Sequence, residues 1–170
     1  MVRAVSVILL VAALLAGCRD AGQGPWELSG RVFIFNYRVA TATYVVTLRP
    51  LDPSRRGARA IAEFEDPAGG PAIIVEAVLW PGAEKLALES PPVFCIRKDR
   101  PYAVVIRIMA EDGAELQRLS TDVVSTLDQD VLPDRPLVVG PVYTPNPELA
   151  GHADGHLPGA RASACPPRDG

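Results

Sequence analysis

The residues best suited to chemistry lie near the carboxyl end, where two histidines flank an aspartate. His152, Asp154 and His156 are ligand types that Zn²⁺ and Cu²⁺ accept. Their spacing would align them on a helix, but the adjacent glycines and Pro158 disfavour one, and no nearby group would orient the imidazole rings. Two interpretations stay open, a metal site or two solvated histidines in a flexible segment.

A second group with catalytic chemistry is the carboxylate pair Glu63 and Glu65. The two alternate on a predicted strand, where a solvent-facing row explains them as well as a catalytic pair does. The chain has no Gly-x-Ser-x-Gly motif, and its Gly69-Gly70 loop lacks the lysine and helix of a phosphate-binding loop. We therefore predict that the chain is not an enzyme and uses no cofactor.

The amino end carries a targeting signal. Arg3 supplies a positive start, and residues 4–15 are almost wholly apolar. This length fits the core of a secretory signal and falls short of the roughly 20 residues of a membrane span. Cleavage after small residues would remove residues 1–17 and leave a mature chain that begins at Cys18.

The residues at that point, Leu15-Ala16-Gly17-Cys18, resemble the lipobox of bacterial lipoproteins. The resemblance implies that the thiol of Cys18 is acylated and that the mature chain hangs from a membrane by its lipid. Two or more acyl chains give stable attachment, whereas a single chain binds only marginally. Arg19 directly after the cysteine favours the outer membrane, facing the periplasm, although Asp20 keeps the inner membrane open.

The composition excludes nucleic acid as a partner. The full chain has 17 basic and 20 acidic residues, for a net charge of −3, and Arg3 would leave with the signal. Nucleic acid demands a basic patch, and no block of positive charge occurs. After cleavage 153 residues remain, which is enough for one domain with a proper core.

Two cysteines remain once Cys18 is assigned. An exported domain meets an oxidising environment, in which Cys95 and Cys165 can form a disulfide. The alternative is two free thiols, since Cys165 lies in a segment rich in proline and glycine. No histidine lies near Cys95 in the sequence, so we expect neither cysteine to be catalytic.

The body of the chain shows strand patterns and few helical ones. Apolar and β-branched residues alternate over short runs that end at Pro, Gly and Asp turns. This pattern predicts an all-β fold, a small β-sandwich of about seven to nine mostly antiparallel strands. The domain plan is a signal peptide at 1–17, a tether at 18–25, a sandwich at 26–143 and a disordered Pro/Gly-rich tail at 144–170. The predicted strands are 26–39, 44–49, 58–65, 72–80, 86–96, 102–110, 116–124 and 137–143. Pro91 and Pro92 interrupt the run 86–96, which is therefore predicted as two pieces or an edge strand. Gly30 indicates a bulge in the first strand, and Asp112-Gly113 predicts a hairpin turn.

Parts of the body also resemble the YbaY/YscW group of bacterial lipoproteins. The residues that carry the resemblance are Val45-Val46-Thr47-Leu48, the Ser54-Arg55 turn, Ile61-Ala62-Glu63, and Tyr102 to Ile108 followed by Gly113. The resemblance implies a small β-sandwich on the outer membrane, and in some members a pilot or chaperone role in protein export. It supplies no catalytic residues.

These observations favour a non-enzymatic envelope lipoprotein that binds or helps assemble another envelope protein. Two alternatives stay open, a small-ligand or metal-binding lipoprotein and a lipid-anchored enzyme inhibitor. Sheet edges accept extended peptides, so aromatic side chains on the strands are candidates for a binding surface as well as for the core. Those side chains are Trp26, Phe33, Phe35, Tyr37 and Trp80.

Overall fold

The structure, a computed structural model, describes residues 24–52, 57, 59–158 and 165–167. The predicted signal peptide, Cys18 and most of the tether lie outside the described residues. Within the described part there is no α-helix, and no helix is long and apolar enough to cross a membrane. The strands are β1 Trp26–Asn36, β2 Thr41–Pro50, β3 Arg59–Phe64, β4 Ile73–Val78, β5 Leu86–Glu89, β6 Pro101–Met109, β7 Glu115–Val124, β8 Val138–Val139 and β9 Thr144–Pro145.

These strands form three antiparallel sheets. Sheet A has the order β1-β2-β5, sheet B has the order β4-β3-β6-β7, and β8 and β9 pair as a small separate hairpin. The chain crosses between sheets A and B three times, after β2, after β4 and after β5. The buried faces of the two larger sheets meet, which confirms the predicted β-sandwich.

Alternation along the central strands builds the core. On β6 the side chains of Tyr102, Val104, Ile106 and Ile108 point inward and are almost fully buried, as their period of two predicts. The same holds for alternate residues of the strands that face or flank β6. Those residues are Ala60, Ala62 and Phe64 on β3, and Ala42, Tyr44, Val46 and Leu48 on β2.

Aromatic rings fill the middle of the sandwich. The ring of Tyr44 lies 4.4 Å from that of Phe33 and 5.1 Å from that of Phe64, centroid to centroid. Tyr102 meets Phe33 edge-on at 5.6 Å. The Tyr44 hydroxyl donates to the carbonyl oxygen of Glu65 at 2.8 Å, so its polar atom is satisfied inside the core.

Two turn predictions are confirmed. The register between β1 and β2 shifts between Leu28 and Gly30, which places a bulge where the glycine indicated one. β6 and β7 form a hairpin whose turn contains Asp112-Gly113, and Gly113 has φ +86°, a conformation that glycine adopts without steric cost.

Two predicted strands are shorter than expected, and one predicted interruption is confirmed. The first strand ends at Asn36, because residues 37–40 form a turn in which Ala40 has φ +54°. The run 86–96 is interrupted as predicted, since it is a strand only over Leu86–Glu89, at the edge of sheet A, and Pro91 and Pro92 cannot donate to a ladder. The run 137–143 is divided, because Gly140 and Pro141 open a turn between β8 and β9.

Residues 144–158 differ from the predicted flexible tail. They carry β9, a 3-10 helix at Pro147–Leu149 and the buried side chain of Leu149. Asn146 explains the order of this segment, because its side chain donates to the Pro136 carbonyl at 2.8 Å and accepts from Glu148 N at 3.1 Å. Backbone and amide hydrogen bonds thus replace the apolar burial that the sequence lacks here.

Candidate functional site

The two sides of the sandwich, where an edge strand of sheet A lies beside an edge strand of sheet B, differ in their contacts. On one side, β1 of sheet A lies against β7 of sheet B, and a buried glutamine joins them. Gln117 Nε2 donates to the Trp26 carbonyl at 2.7 Å, and Gln117 Oε1 accepts from Trp26 N at 3.0 Å. The side-chain amide therefore pairs with the backbone of Trp26 as one residue of a neighbouring strand would, and we call the side that it bridges the closed side.

On the other side, β4 is the last strand of sheet B, and no described strand pairs with its free side. We call this surface the β4 edge and define it by Ile74, Glu76 and Val78, which point away from the core, together with Trp80 beyond the strand end. Ile74, Val78 and Trp80 are 53%, 52% and 70% exposed. Alternate residues of an antiparallel edge strand direct their N–H and C=O groups away from the sheet, so the β4 edge offers backbone pairing as well as apolar side chains.

The β4 edge has few of the features that normally prevent an edge strand from pairing with another chain. Natural edge strands are commonly blunted by lysines, prolines or bulges, and β4 has none of these in its six residues. Its single charge is Glu76, whose carboxylate lies 3.9 Å from Arg59 of β3. Both side chains are about half exposed, so this ion pair contributes well under about 1 kcal/mol and leaves Glu76 accessible to a new partner.

The carboxylates Glu63 and Glu65 are engaged in structural pairs. Glu63 pairs with Arg107 of β6, and Glu65 Oε1 lies 2.7 Å from Arg100 Nη2. Glu65 Oε2 also accepts from Ala103 N at 2.9 Å. Each carboxylate thus has its own arginine, which is the arrangement of a solvent-facing row that ties β3 to β6.

A tyrosine with a perturbed pKa lies near this row. Burial raises the pKa of the Tyr44 phenol above its ordinary value of 10.0, and the negative charge of Glu65 raises it further. A raised pKa keeps the hydroxyl protonated, so Tyr44 acts as a hydrogen-bond donor in the core rather than as a base.

The structure joins Cys95 to Cys165, with 5.4 Å between their Cα atoms. The segment after Cys165 is further held by Arg97 of the preceding loop, whose Nη2 donates to the Pro167 carbonyl at 2.7 Å and contacts that of Pro166. These contacts fasten the described carboxyl segment 165–167 to the loop that carries the chain from sheet A to sheet B.

The predicted metal ligands are not brought together. His156 Nδ1 faces Asp134 Oδ1 at 3.2 Å, whereas Asp154 accepts from the His156 backbone N–H, which holds the pKa of that carboxyl below its ordinary range. The described residues contain no group of three His, Cys, Asp or Glu side chains placed to hold a metal ion. His152, Asp154 and His156 lie in a loop held by hydrogen bonds, and the metal site stays a prediction from the sequence.

The five aromatic candidates separate into two classes. Trp26 and Phe33 are buried, and Phe35 packs against the core, so these three are structural. Tyr37 and Trp80 are 45% and 70% exposed, at opposite places on the molecule. Trp80 belongs to the β4 edge, and Tyr37 lies in the turn between β1 and β2.

That turn meets the β8–β9 hairpin in a second exposed surface, which we call the hairpin tip. The Arg38 carbonyl accepts from Leu137 N at 2.9 Å and from Val138 N at 3.2 Å, and the Arg38 guanidinium lies 4.5 Å above the Tyr143 ring. Tyr143 has φ +52°, which is rare for a bulky residue. The exposed apolar side chains of the hairpin tip are Tyr37, Val39, Leu137, Val139, Val142 and Tyr143.

Comparison with known proteins does not identify the chain. No family description matches it, and no curated protein matches it in sequence. The lipobox at Cys18 and the resemblance to the YbaY/YscW group therefore stay predictions from the residues. The sequence signalled the β4 edge through the run Ile73 to Val75 and through Trp80, but it gave no sign that Val142 and Tyr143 would protrude.

Proposed function

We propose that this chain is a non-enzymatic, lipid-anchored envelope protein that uses the β4 edge to bind an extended segment of another envelope protein. Cys18 would carry the lipid, at the outer membrane and facing the periplasm. The observation that carries the proposal is the outer side of β4, with which no described strand pairs, together with three apolar side chains that are each more than half exposed beside it.

Strand addition explains why these features occur together. A partner strand would satisfy the outward N–H and C=O groups of β4, and these bonds do not depend on the partner's side chains. Ile74 and Val78 would contact alternate side chains of the added strand, and Trp80 would cover its end. Glu76 favours a basic residue at the position beside it, because opposite charges on neighbouring strands attract.

Site-specific photo-crosslinking in intact envelopes tests the binding surface. A photoreactive residue at position 74 should give one discrete adduct, and Val78→Lys should remove that adduct by adding a charge to the edge. The matched control is position 34 on β1, which is 47% exposed but belongs to the closed side. Equal adducts from positions 74 and 34, or an adduct that survives Val78→Lys, would contradict the proposal.

The anchor is tested separately. Labelled palmitate should enter the wild-type chain and should not enter Cys18→Ser, which should be released from membranes. A Cys18→Ser chain that still bound its partner in solution would show that the anchor locates the protein without taking part in recognition. Retention of label after Cys18→Ser would overturn the lipid assignment and leave the β4 proposal standing.

A further inference from the structure

We propose that the hairpin tip is a membrane-contacting element that places its apolar side chains in the interfacial layer of an anionic bilayer. This role is distinct from partner binding at the β4 edge. It also does not depend on acylation of Cys18.

The shape and composition of the hairpin tip carry the inference. Val142 is 82% exposed and Tyr143 64% exposed, in the turn of a short hairpin that contacts the β1–β2 turn through Arg38. A group of exposed valines and tyrosines suits insertion to a depth of about 5–10 Å, and tyrosine favours the membrane interface.

Charge points to an anionic surface. Segments 36–41 and 136–146, which build the hairpin tip, contain no aspartate or glutamate, although the whole chain has 20 acidic residues. Their single charge is Arg38, which lies above the Tyr143 ring. A cation next to inserted aromatic rings is attracted to anionic headgroups while its alkyl stem stays in apolar contact.

Several backbone groups at the base of the hairpin tip have hydrogen-bond partners within the protein. Besides the two bonds to the Arg38 carbonyl, Arg38 N donates to Asn36 Oδ1 at 3.2 Å and Asn146 N donates to the Leu137 carbonyl at 2.9 Å. A polar group without such a partner is costly near hydrocarbon. The base of the hairpin tip therefore combines exposed apolar side chains with backbone groups that are hydrogen-bonded within the protein.

The position of the hairpin tip defines how it would combine with a lipid anchor. It lies at the end of β1 opposite Trp26, and eleven strand residues span about 35 Å. The eight Cα–Cα steps from Cys18 to Trp26 can extend about 27 Å. A sandwich lying along the bilayer could then touch it at both ends, so that the anchor and the hairpin tip together fix its orientation.

Vesicle binding tests the proposal. The full chain carrying Cys18→Ser would be mixed with vesicles of phosphatidylglycerol and phosphatidylcholine, and with vesicles of phosphatidylcholine alone. With Trp80→Phe to reduce background, a tryptophan at position 142 (Val142→Trp) should emit at shorter wavelength with anionic vesicles and be quenched by brominated lipid. Val142→Asp should lower partitioning tenfold or more, because it removes a valine side chain that would be buried in the bilayer interface.

Two further variants separate the contribution of the Arg38 charge to vesicle binding from that of exposed apolar side chains elsewhere on the protein. Arg38→Gln should lower partitioning roughly fivefold on anionic vesicles and leave it unchanged on neutral ones. Ile74→Asp, at the β4 edge, should leave partitioning unchanged on both anionic and neutral vesicles. The proposal is overturned if the Cys18→Ser chain does not partition onto anionic vesicles, if Ile74→Asp lowers partitioning as much as Val142→Asp, or if position 142 crosslinks to a protein in envelopes without any vesicle binding.

Discussion

The two sides of the sandwich show how one fold can be closed at one edge and open at the other. On the β1–β7 side, the buried Gln117 amide accepts one hydrogen bond from Trp26 N and donates one to the Trp26 carbonyl. On the β4 side, outward apolar side chains stand beside an edge that no described strand pairs with. Gln117 bridges β1 and β7 at Trp26, whereas β4 pairs only with β3. Our proposal assigns stability to the bridged side and recognition to the β4 edge.

The largest effect should come from the disulfide, which fastens the carboxyl segment to the crossing loop. Replacing both Cys95 and Cys165 by serine should lower the free energy of unfolding by about 4 kcal/mol, given a separation of 70 residues. Urea unfolding with and without reductant measures this. Unfolding of the wild-type chain that reductant leaves unchanged would contradict the expectation.

The second largest loss of stability should come from removing the hydrogen bonds between Gln117 and Trp26 on the β1–β7 side. Gln117→Leu keeps the volume but removes both hydrogen bonds to Trp26, and we expect a loss of about 2–3 kcal/mol. The matched change on the open side is Glu76→Leu, which should stay within about 0.5 kcal/mol because the side chain is exposed. Similar losses in the two variants would remove the distinction between the sides.

A substitution at Gly24 tests in a second way how much the Gln117–Trp26 bonds contribute to stability. A Cβ atom at Gly24 would lie 1.9 Å from Gln117 Cδ, so Gly24→Ala must displace the glutamine from its bonds with Trp26. We expect Gly24→Ala to cost about 2 kcal/mol, and to cost much less in a Gln117→Ala background. Additive losses in this double-mutant cycle would show that the two residues act separately.

The interior between the two sides responds to pH through Tyr44. The unfolded phenol ionises at its ordinary pKa of 10.0, whereas burial raises the pKa of the folded one. Stability is therefore complete below pH 10 and falls above it, by about 1.4 kcal/mol for each pH unit. Tyr44→Phe should cost about 1 kcal/mol at pH 7, through the lost bond to Glu65, and should lose less than the wild type between pH 10 and 11. Parallel pH profiles would contradict this.

The smallest effect on stability should come from the open edge itself. Ile74→Lys should change the free energy of unfolding by no more than about 0.5 kcal/mol, because Ile74 faces solvent. The same variant should abolish partner capture, and Ile34→Lys on β1 should not. A loss of capture that accompanied unfolding would remove Ile74→Lys as support for the β4 edge.

Much of the fold follows from local patterns in the sequence. Alternation placed Ala60, Ala62 and Phe64 on the inner face of β3, and Asp112-Gly113 identified the β6–β7 hairpin, because strand period and turn chemistry are local properties. The pairing of Gln117 with Trp26 was beyond such reasoning, since it joins residues 91 positions apart.

The binding surfaces were only partly predictable. Trp80 was a candidate, but whether an aromatic side chain is core or surface depends on which strand ends a sheet, and local alternation does not specify strand order. The hairpin tip and the ordered segment 144–158 depend on hydrogen bonds of Arg38 and Asn146 with distant backbone groups. A count of prolines and glycines predicts only the absence of regular structure there.

Hydrogen exchange at β4 tests the central claim most directly. The amides of β4 that point away from β3 should exchange quickly in the isolated protein and become protected when the crosslinked partner is present, while the amides of β1 stay unchanged. Protection at β1, or a partner that binds without slowing exchange in residues 73–78, would contradict the account.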